Sequence, residues 1–262
     1  MSQMLRSAPI LDALYRVIVA HPEDDAPRLA FADALQGIDD DRASFIRAQV
    51  KVSQVYRSRW LSPDYGDLSI LEQSLLSSGA PALEPVRGRV DKQRLKRGFV
   101  EAVWLDARRF LGDAADLFER APILDVNLTG VAAVARELFA SPHLARLRSL
   151  DLSDNGLDDD AAVALAGSPH LEKLAWLDLS KNKISAKGLD ALAASQRLPR
   201  LGYLCLADNL CIDPTPRIGG CDDYGNFDLE YPAAGRELAA RHGERAWLTT
   251  SSFSWPPERE AV

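Results

Sequence analysis

Long hydrophobic runs are absent from this 262-residue chain. No apolar run approaches the roughly 18 residues that suggest a membrane-spanning helix. Near the start, Asp12 and Arg16 interrupt the only apolar stretch and no small-residue cleavage site follows, so we expect no signal peptide. The three cysteines are irregularly spaced and predict no disulfide framework. Together these absences predict a cytoplasmic protein without membrane association.

The chain also has no surplus of basic charge. Its 38 Asp and Glu residues outnumber its 31 Lys and Arg residues, which gives a net charge of −7. Broad binding to nucleic acid requires a basic surface, so we expect no nucleic-acid partner. Signatures of phosphate-binding loops, serine hydrolases, zinc peptidases and dinucleotide-binding loops do not occur. The sequence therefore predicts a protein that is not an enzyme and has no cofactor and no metal site.

What the chain does contain is a repeat of the form L-x-x-L-x-L-x-x-N. It begins at Leu147, Leu174 and Leu201, so its period is 27 residues. Weaker copies, in which other aliphatic residues replace most of the leucines, lie upstream at residues 100–105 and 123–128. Self-similarity at such a period indicates a repeat architecture in which each unit buries its apolar face against its neighbours.

Each repeat combines an alternating apolar segment, typical of a strand, with a helical segment such as "AKGLDALAASQR". This pattern predicts an α/β fold: a right-handed leucine-rich-repeat solenoid, a short horseshoe of about five parallel strands with helices outside. The asparagine that closes the motif is expected to hydrogen-bond backbone groups where the chain turns out of the strand. The structural asparagines are Asn155, Asn182 and Asn209.

These repeats resemble the ribonuclease-inhibitor-like class of leucine-rich repeats. The N-terminal segments "DDAPRLAFADALQ" and "RASFIRAQ", with "RGFVEAV" at residues 97–103, resemble the small repeat-companion domain of some bacterial proteins. The resemblance implies a small all-α domain before the solenoid, and it implies no activity. The expected organisation is a companion domain at 1–56, a helical connector at 57–96, the solenoid at 97–212 and a C-terminal cap and tail at 213–262.

The non-leucine positions of the strands predict a candidate binding face, because residues two apart along a strand point to the same side. The face is expected to be acidic and to carry two adjacent aromatic residues, Trp176 and Tyr203, which are typical of binding hot spots. The candidate partner-binding residues are Trp176, Tyr203, Asp151, Asp178, Asp125, Trp104, Ser149 and Cys205.

Four other features have a structural and a functional interpretation. Asp158, Asp159 and Asp160 suit a helix N-terminus better than a metal site. His143 and His170 share one repeat position and are expected to be turn residues rather than metal ligands.

A basic run at 87–97 is interpreted as a solvated connector, with an acidic partner as the alternative. Cys221 begins a Cys-x-Asp pattern that resembles bacterial leucine-rich-repeat ubiquitin ligases, but the chain after it is too short for their catalytic domain.

The sequence thus predicts a non-enzymatic protein–protein interaction module that binds a partner bearing basic residues on the concave face of the solenoid. A monomer is favoured. One alternative is a regulator of an enzyme, such as a GTPase-activating protein, because some ribonuclease-inhibitor-like repeat proteins act in this way. Another alternative is a ubiquitin ligase of the Cys-x-Asp type.

Overall fold

Three helices open the chain in the computed structural model, which describes residues 3–58, 85–211, 217–221, 227–230 and 233–249. They are α1 (Gln3–Ala20), α2 (Ala26–Ala34) and α3 (Asp40–Ser58). Apolar residues from all three pack into one core, in which Ile18, Phe31 and Ile46 are fully or almost fully buried. The helical N-terminal region predicted from the sequence is therefore present.

A β-hairpin follows, formed by β1 (Lys92–Lys96) and β2 (Phe99–Asp106). Its two-residue turn consists of Arg97 and Gly98, with φ angles of 50° and 84°. A side chain on Gly98 would collide with Ile46 of α3, so glycine is required both by the backbone angle and by the close approach. The sequence interpretation placed residues 92–96 in a helical connector, whereas they form a strand.

A buried ion-pair network joins this hairpin to the segment between α1 and α2. Arg28 and Arg97 each donate to the carboxylate of Glu101, at 2.7 Å and 2.8 Å, and Arg97 also pairs with Asp25 at 2.8 Å. Both guanidinium groups donate to the carbonyl of Pro22. Buried charges are tolerated only when they are paired and hydrogen-bonded, so these residues form one mutually dependent unit.

Four parallel strands carry the repeats: β3 (Asp125–Thr129), β4 (Ser149–Asp151), β5 (Trp176–Asp178) and β6 (Tyr203–Cys205). The sheet order is β1-β2-β3-β4-β5-β6. The central leucines Leu150, Leu177 and Leu204 stand opposite one another, as the 27-residue period predicts, and are buried. The five predicted repeat strands are thus β2 to β6, and β1 is an additional strand.

Helices alternate with these strands and supply the other side of the core. The repeat helices are α4 (Ala107–Arg120), α5 (Ala135–Phe139), α6 (Asp159–Ala166) and α7 (Ala186–Ala194), with 3₁₀ turns at Val131–Val134 and Pro142–Arg146. Their inward residues, such as Leu138, Leu165 and Leu192, are buried with the strand leucines. The predicted fold class, an α/β leucine-rich-repeat fold preceded by three helices, is confirmed.

The C-terminal elements are a hairpin of β7 (Arg217–Cys221) and β8 (Phe227–Glu230), then α8 (Ala233–His242) and α9 (Ala246–Thr249). Arg241 and His242 of α8 both contact the carboxylate of Asp190 on α7. Trp247 and Leu248 of α9 are buried. The end of the described chain is therefore attached to the helix of the last complete repeat.

The described residues fall into two compact units, one within 1–103 and 115–124 and the other within 104–114 and 125–255. One division between the two units runs inside β2, after Val103. Residues 59–84 of the expected helical connector lie outside the described residues. The four-part domain organisation remains a prediction.

Candidate binding surface

Two columns of side chains cross the repeat strands on the side away from the leucine core. In the first column, Asp125 pairs with Ser149, Ser149 with Trp176, and Trp176 with Tyr203. In the second column the order is Asn127, Asp151, Asp178 and Cys205. Strand pairing therefore aligns in two rows seven of the eight predicted partner-binding residues; the eighth, Trp104, is a half-buried residue of β2.

Trp176 and Tyr203 form a stacked aromatic pair at one end of the first column. Their ring centroids are 5.5 Å apart and their planes differ by 3°. Both side chains are half-buried, so part of each ring is accessible. Parallel stacking holds each ring in a defined orientation, which lowers the conformational entropy lost if a partner binds there.

Asp178, expected to be an exposed carboxylate beside the aromatic pair, is instead buried, with 2% of its surface exposed. Its Oδ1 accepts a hydrogen bond of 2.8 Å from the backbone N–H of Ser180. Asp151 makes the equivalent contact with the N–H of Ser153 at 2.9 Å but is half-buried. Aspartate two residues before a turn N–H stabilises the turn, so this position has a structural role in both repeats.

The remaining members of the columns are half-buried. Asp125 and Ser149 lie in the first column and Cys205 in the second. Cys205 and Cys211 are both half-buried. The accessible acidic groups of the two columns are therefore Asp125 and Asp151, next to Ser149 and the aromatic pair.

The asparagines of the repeat connect neighbouring turns. Asn182 Oδ1 accepts from the N–H groups of Asn155 and Leu157 at 3.1 Å and 3.0 Å. Its Nδ2 donates to the carbonyls of Leu152, Leu179 and Ser180. Asn155 and Asn209 likewise bond backbone groups of their own and the preceding repeat.

The residue before each asparagine has a left-handed backbone conformation, a feature that was not predicted from the sequence. Asp154, Lys181 and Asp208 have φ angles of 55°, 56° and 60°. In the earlier repeat the same position is Gly130, with φ of 69°. The chain must reverse sharply after the strand, and the asparagine side chain holds the backbone in this conformation. The sequence signals of this requirement are the glycine in the less regular repeat and the aspartates at 154 and 208, because glycine and aspartate adopt positive φ more readily than most residues.

Two residues of the acidic run at 158–160, Asp158 and Asp159, cap helices. Asp158 accepts from the N–H of Ala161 at the start of its own helix, α6. Asp159 instead reaches the next repeat, where it accepts from the Ser185 hydroxyl and from the N–H groups of Ser185 and Gly188 at the start of α7. These hydrogen bonds, that of the hydroxyl foremost, hold the pKa of Asp159 below its ordinary value. Among the described residues, no group of His, Cys, Asp and Glu side chains could hold a metal ion.

The two histidines lie in turns of the Ser-Pro-His type. The backbone N–H of His143 donates to the hydroxyl of Ser141, and that of His170 donates to the hydroxyl of Ser168. The same turn recurs without histidine after Ser195. The histidine position is thus a turn position, and the serine hydroxyl supplies the contact that defines it.

The basic run at 87–97 is not a uniform charged surface. Arg97 is buried in the network with Glu101, and Arg89 pairs with Asp116 at 2.6 Å. At the other candidate position, Cys221 ends strand β7 opposite Phe227, while its Cys-x-Asp partner, Asp223, lies outside the described residues.

The family described as Leucine Rich repeat matches residues 143–166 and 167–193, which contain β4, α6, β5 and most of α7. Residues 143–193 are leucine-rich repeats. No catalytic domain is identified in the chain by this comparison, and no curated protein matches it. Within the described residues, no helix combines the length and the apolar character needed to span a membrane.

Proposed function

We propose that the chain is a non-enzymatic interaction module whose leucine-rich repeats bind a protein partner on the strand face formed by the two columns. The observation that carries this proposal is the stacked pair of Trp176 and Tyr203, half-buried and directed away from the leucine core. Leucine-rich repeats in general mediate protein binding, which supports the same conclusion.

Rigidity and large aromatic side chains both favour binding at this strand face. Stacked repeats present a pre-organised surface, so little ordering is required when a partner binds. Large aromatic rings bury extensive apolar area at the centre of interfaces, where single truncations typically weaken binding by 2 kcal/mol or more. The two rings are therefore expected to lie at the centre of the contact.

The test compares three versions of the full chain: wild type, Trp176→Ala with Tyr203→Ala, and Val163→Ala as a matched control. Val163 is an exposed apolar residue of helix α6, away from the strand face. Proteins retained from an extract of the source cells are quantified by mass spectrometry, and the dissociation constant of each is then measured with purified components.

We expect the double variant to bind at least about 30-fold more weakly, which corresponds to about 2 kcal/mol, and the control to bind like wild type. Circular dichroism must show that both variants are folded. A retained partner that binds the double variant as tightly as wild type would refute the proposal.

A further inference from the structure

We propose that a second copy of this chain packs against helix α1 in an antiparallel arrangement with two-fold symmetry. The contact involves an exposed apolar stripe of α1 and not the strand face, so it goes beyond the proposed function and does not depend on it. The sequence favours a monomer, whereas three features of α1 favour a dimer. They are a second apolar side, a small residue at the centre of that side, and a flanking ion pair whose charges complement themselves under two-fold symmetry.

Helix α1 is apolar on two sides, of which one faces the core of the three N-terminal helices. Ile18 is fully buried in that core, and Leu11 and Leu14 pack partly against it. On the other side of the helix, Ile10 is 56% exposed and Val17 is 42% exposed. A surface helix normally carries polar residues on its solvent side, so the second apolar side indicates a second contact.

Ile10, Ala13 and Val17 form the exposed stripe of α1. Spacings of three and four residues place side chains one above the other on a helix, and all three of these residues are exposed. Ala13 lies at the centre of the stripe, where its short side chain lets another helix axis approach to about 8 Å. In an antiparallel pair, Ile10 of one copy then meets Val17 of the other on each side of Ala13.

An ion pair flanks the stripe. Arg16 Nη2 contacts Asp12 Oδ2 at 2.7 Å, and both side chains are exposed. The midpoint between Asp12 and Arg16 and the midpoint between Ile10 and Val17 differ by less than about 1 Å along the helix axis. A two-fold axis at this point brings Asp12 of each copy opposite Arg16 of the other while the stripes meet. A guanidinium group has five N–H donors and a carboxylate has several acceptor sites, so the pair within each helix is retained.

This symmetry of charge favours a second copy over an unrelated partner. In a two-fold contact, residue i of one copy meets residue j of the other while j meets i. Opposite charges and apolar residues that are both arranged about one point of α1 satisfy this condition, whereas an unrelated helix requires only an apolar surface. A contact made by one helix from each copy is small beside the roughly 800 Å² per partner of a standard interface, so we expect a weak dimer with a dissociation constant of about 10–100 µM.

Sedimentation equilibrium of the full chain, at concentrations on both sides of this range, measures the dimer dissociation constant. The variants are Ile10→Ser with Val17→Ser, Asp12→Arg, Arg16→Asp, and the control Val163→Ser. Val163 is an exposed aliphatic residue of helix α6, so its replacement controls for the loss of surface hydrophobicity. Circular dichroism establishes that each variant is folded.

The two charge variants distinguish a pair between copies from the pair within one helix. Each variant alone opposes like charges across the two-fold axis, because position 12 of one copy faces position 16 of the other. An equimolar mixture restores opposite charges at both contacts, since one variant carries two cations and the other carries two carboxylates. Mixing changes nothing within a single helix, so recovery in the mixture reports contact between copies.

We expect the double serine variant and each charge variant alone to raise the dimer dissociation constant about tenfold or more. Val163→Ser should leave it unchanged, and the mixture should recover association to within about threefold of wild type. A wild-type chain that stays monomeric throughout overturns the proposal. A dimer that tolerates the serine substitutions, or a mixture that associates no better than its separate components, also overturns it. The strand face is tested separately by the variant of Trp176 and Tyr203.

Discussion

Replacing Asn182 with alanine tests whether the asparagines stabilise the stacked repeats. The side chain is 6% exposed and makes five hydrogen bonds to backbone groups in two repeats. The substitution leaves the N–H groups of Asn155 and Leu157 without this acceptor, and each buried unsatisfied donor costs about 1–3 kcal/mol. The three carbonyls each lose one donor but retain a second lone pair. We therefore expect a loss of about 3 kcal/mol in the free energy of unfolding.

The matched comparison is Asn155→Ala. Within the described part of the chain, Asn155 Oδ1 accepts from only one backbone N–H, that of Val131, and the side chain is half-buried, so water can replace part of the lost contact. We expect this variant to lose about 1 kcal/mol. Urea unfolding of both variants, followed by far-UV circular dichroism and tryptophan fluorescence, measures the difference. A loss below about 1 kcal/mol for Asn182→Ala, or a loss no larger than that of Asn155→Ala, would refute the reasoning.

Three further predictions concern the turns and helix caps. Lys181→Gly should raise the free energy of unfolding in urea by roughly 0.5 kcal/mol, because the φ angle at this position is 56° and glycine adopts it without strain. The control Lys183→Gly should lower the free energy of unfolding. A change of the same sign in both variants would contradict this prediction. Gly188→Ala should lower the free energy of unfolding by about 1–3 kcal/mol, because the new Cβ would lie 2.6 Å from the Asp159 carboxylate. The control Gly112→Ala places its Cβ in open space and should not destabilise the protein. Equal losses in the two variants would contradict the predicted clash. Hydrogen bonds lower the Asp159 pKa, so its stabilising contribution is present above the ordinary value of 3.8 and lost as pH falls below it. Asp159→Ala should therefore unfold with a weaker dependence on acid pH than wild type, and an unchanged pH profile would contradict this cause.

The aromatic pair shows how much of a candidate site can be predicted from sequence periodicity. A 27-residue period placed Trp176 and Tyr203 at equivalent positions of adjacent repeats, and the strand register pairs them directly. Periodicity predicts register because each repeat must bury its leucines in the same layer as its neighbours. It does not predict ring orientation, which follows from packing between the two side chains.

The N-terminal half shows a second limit of prediction from the sequence. Charged and uncharged residues alternate at 92–96. The sequence interpretation assigned these residues to a connector, yet they form β1. Their strand conformation depends on the turn at Arg97 and Gly98, where Gln49 accepts the Gly98 N–H at 2.6 Å and Asp25 pairs with the Arg97 guanidinium at 2.8 Å. Partners more than forty residues apart in the chain cannot be found from local patterns in one sequence.

Spacing along the chain was sufficient to predict the repeat, the strand register and the positions of the asparagines. Which polar residues reach solvent became apparent only from the folded structure. Asp151 and Asp178 occupy the same repeat position and make the same turn contact, yet the first is half-buried and the second is 2% exposed. Spacing specifies the side of the sheet to which a residue belongs, whereas its burial depends on which other segments pack over it.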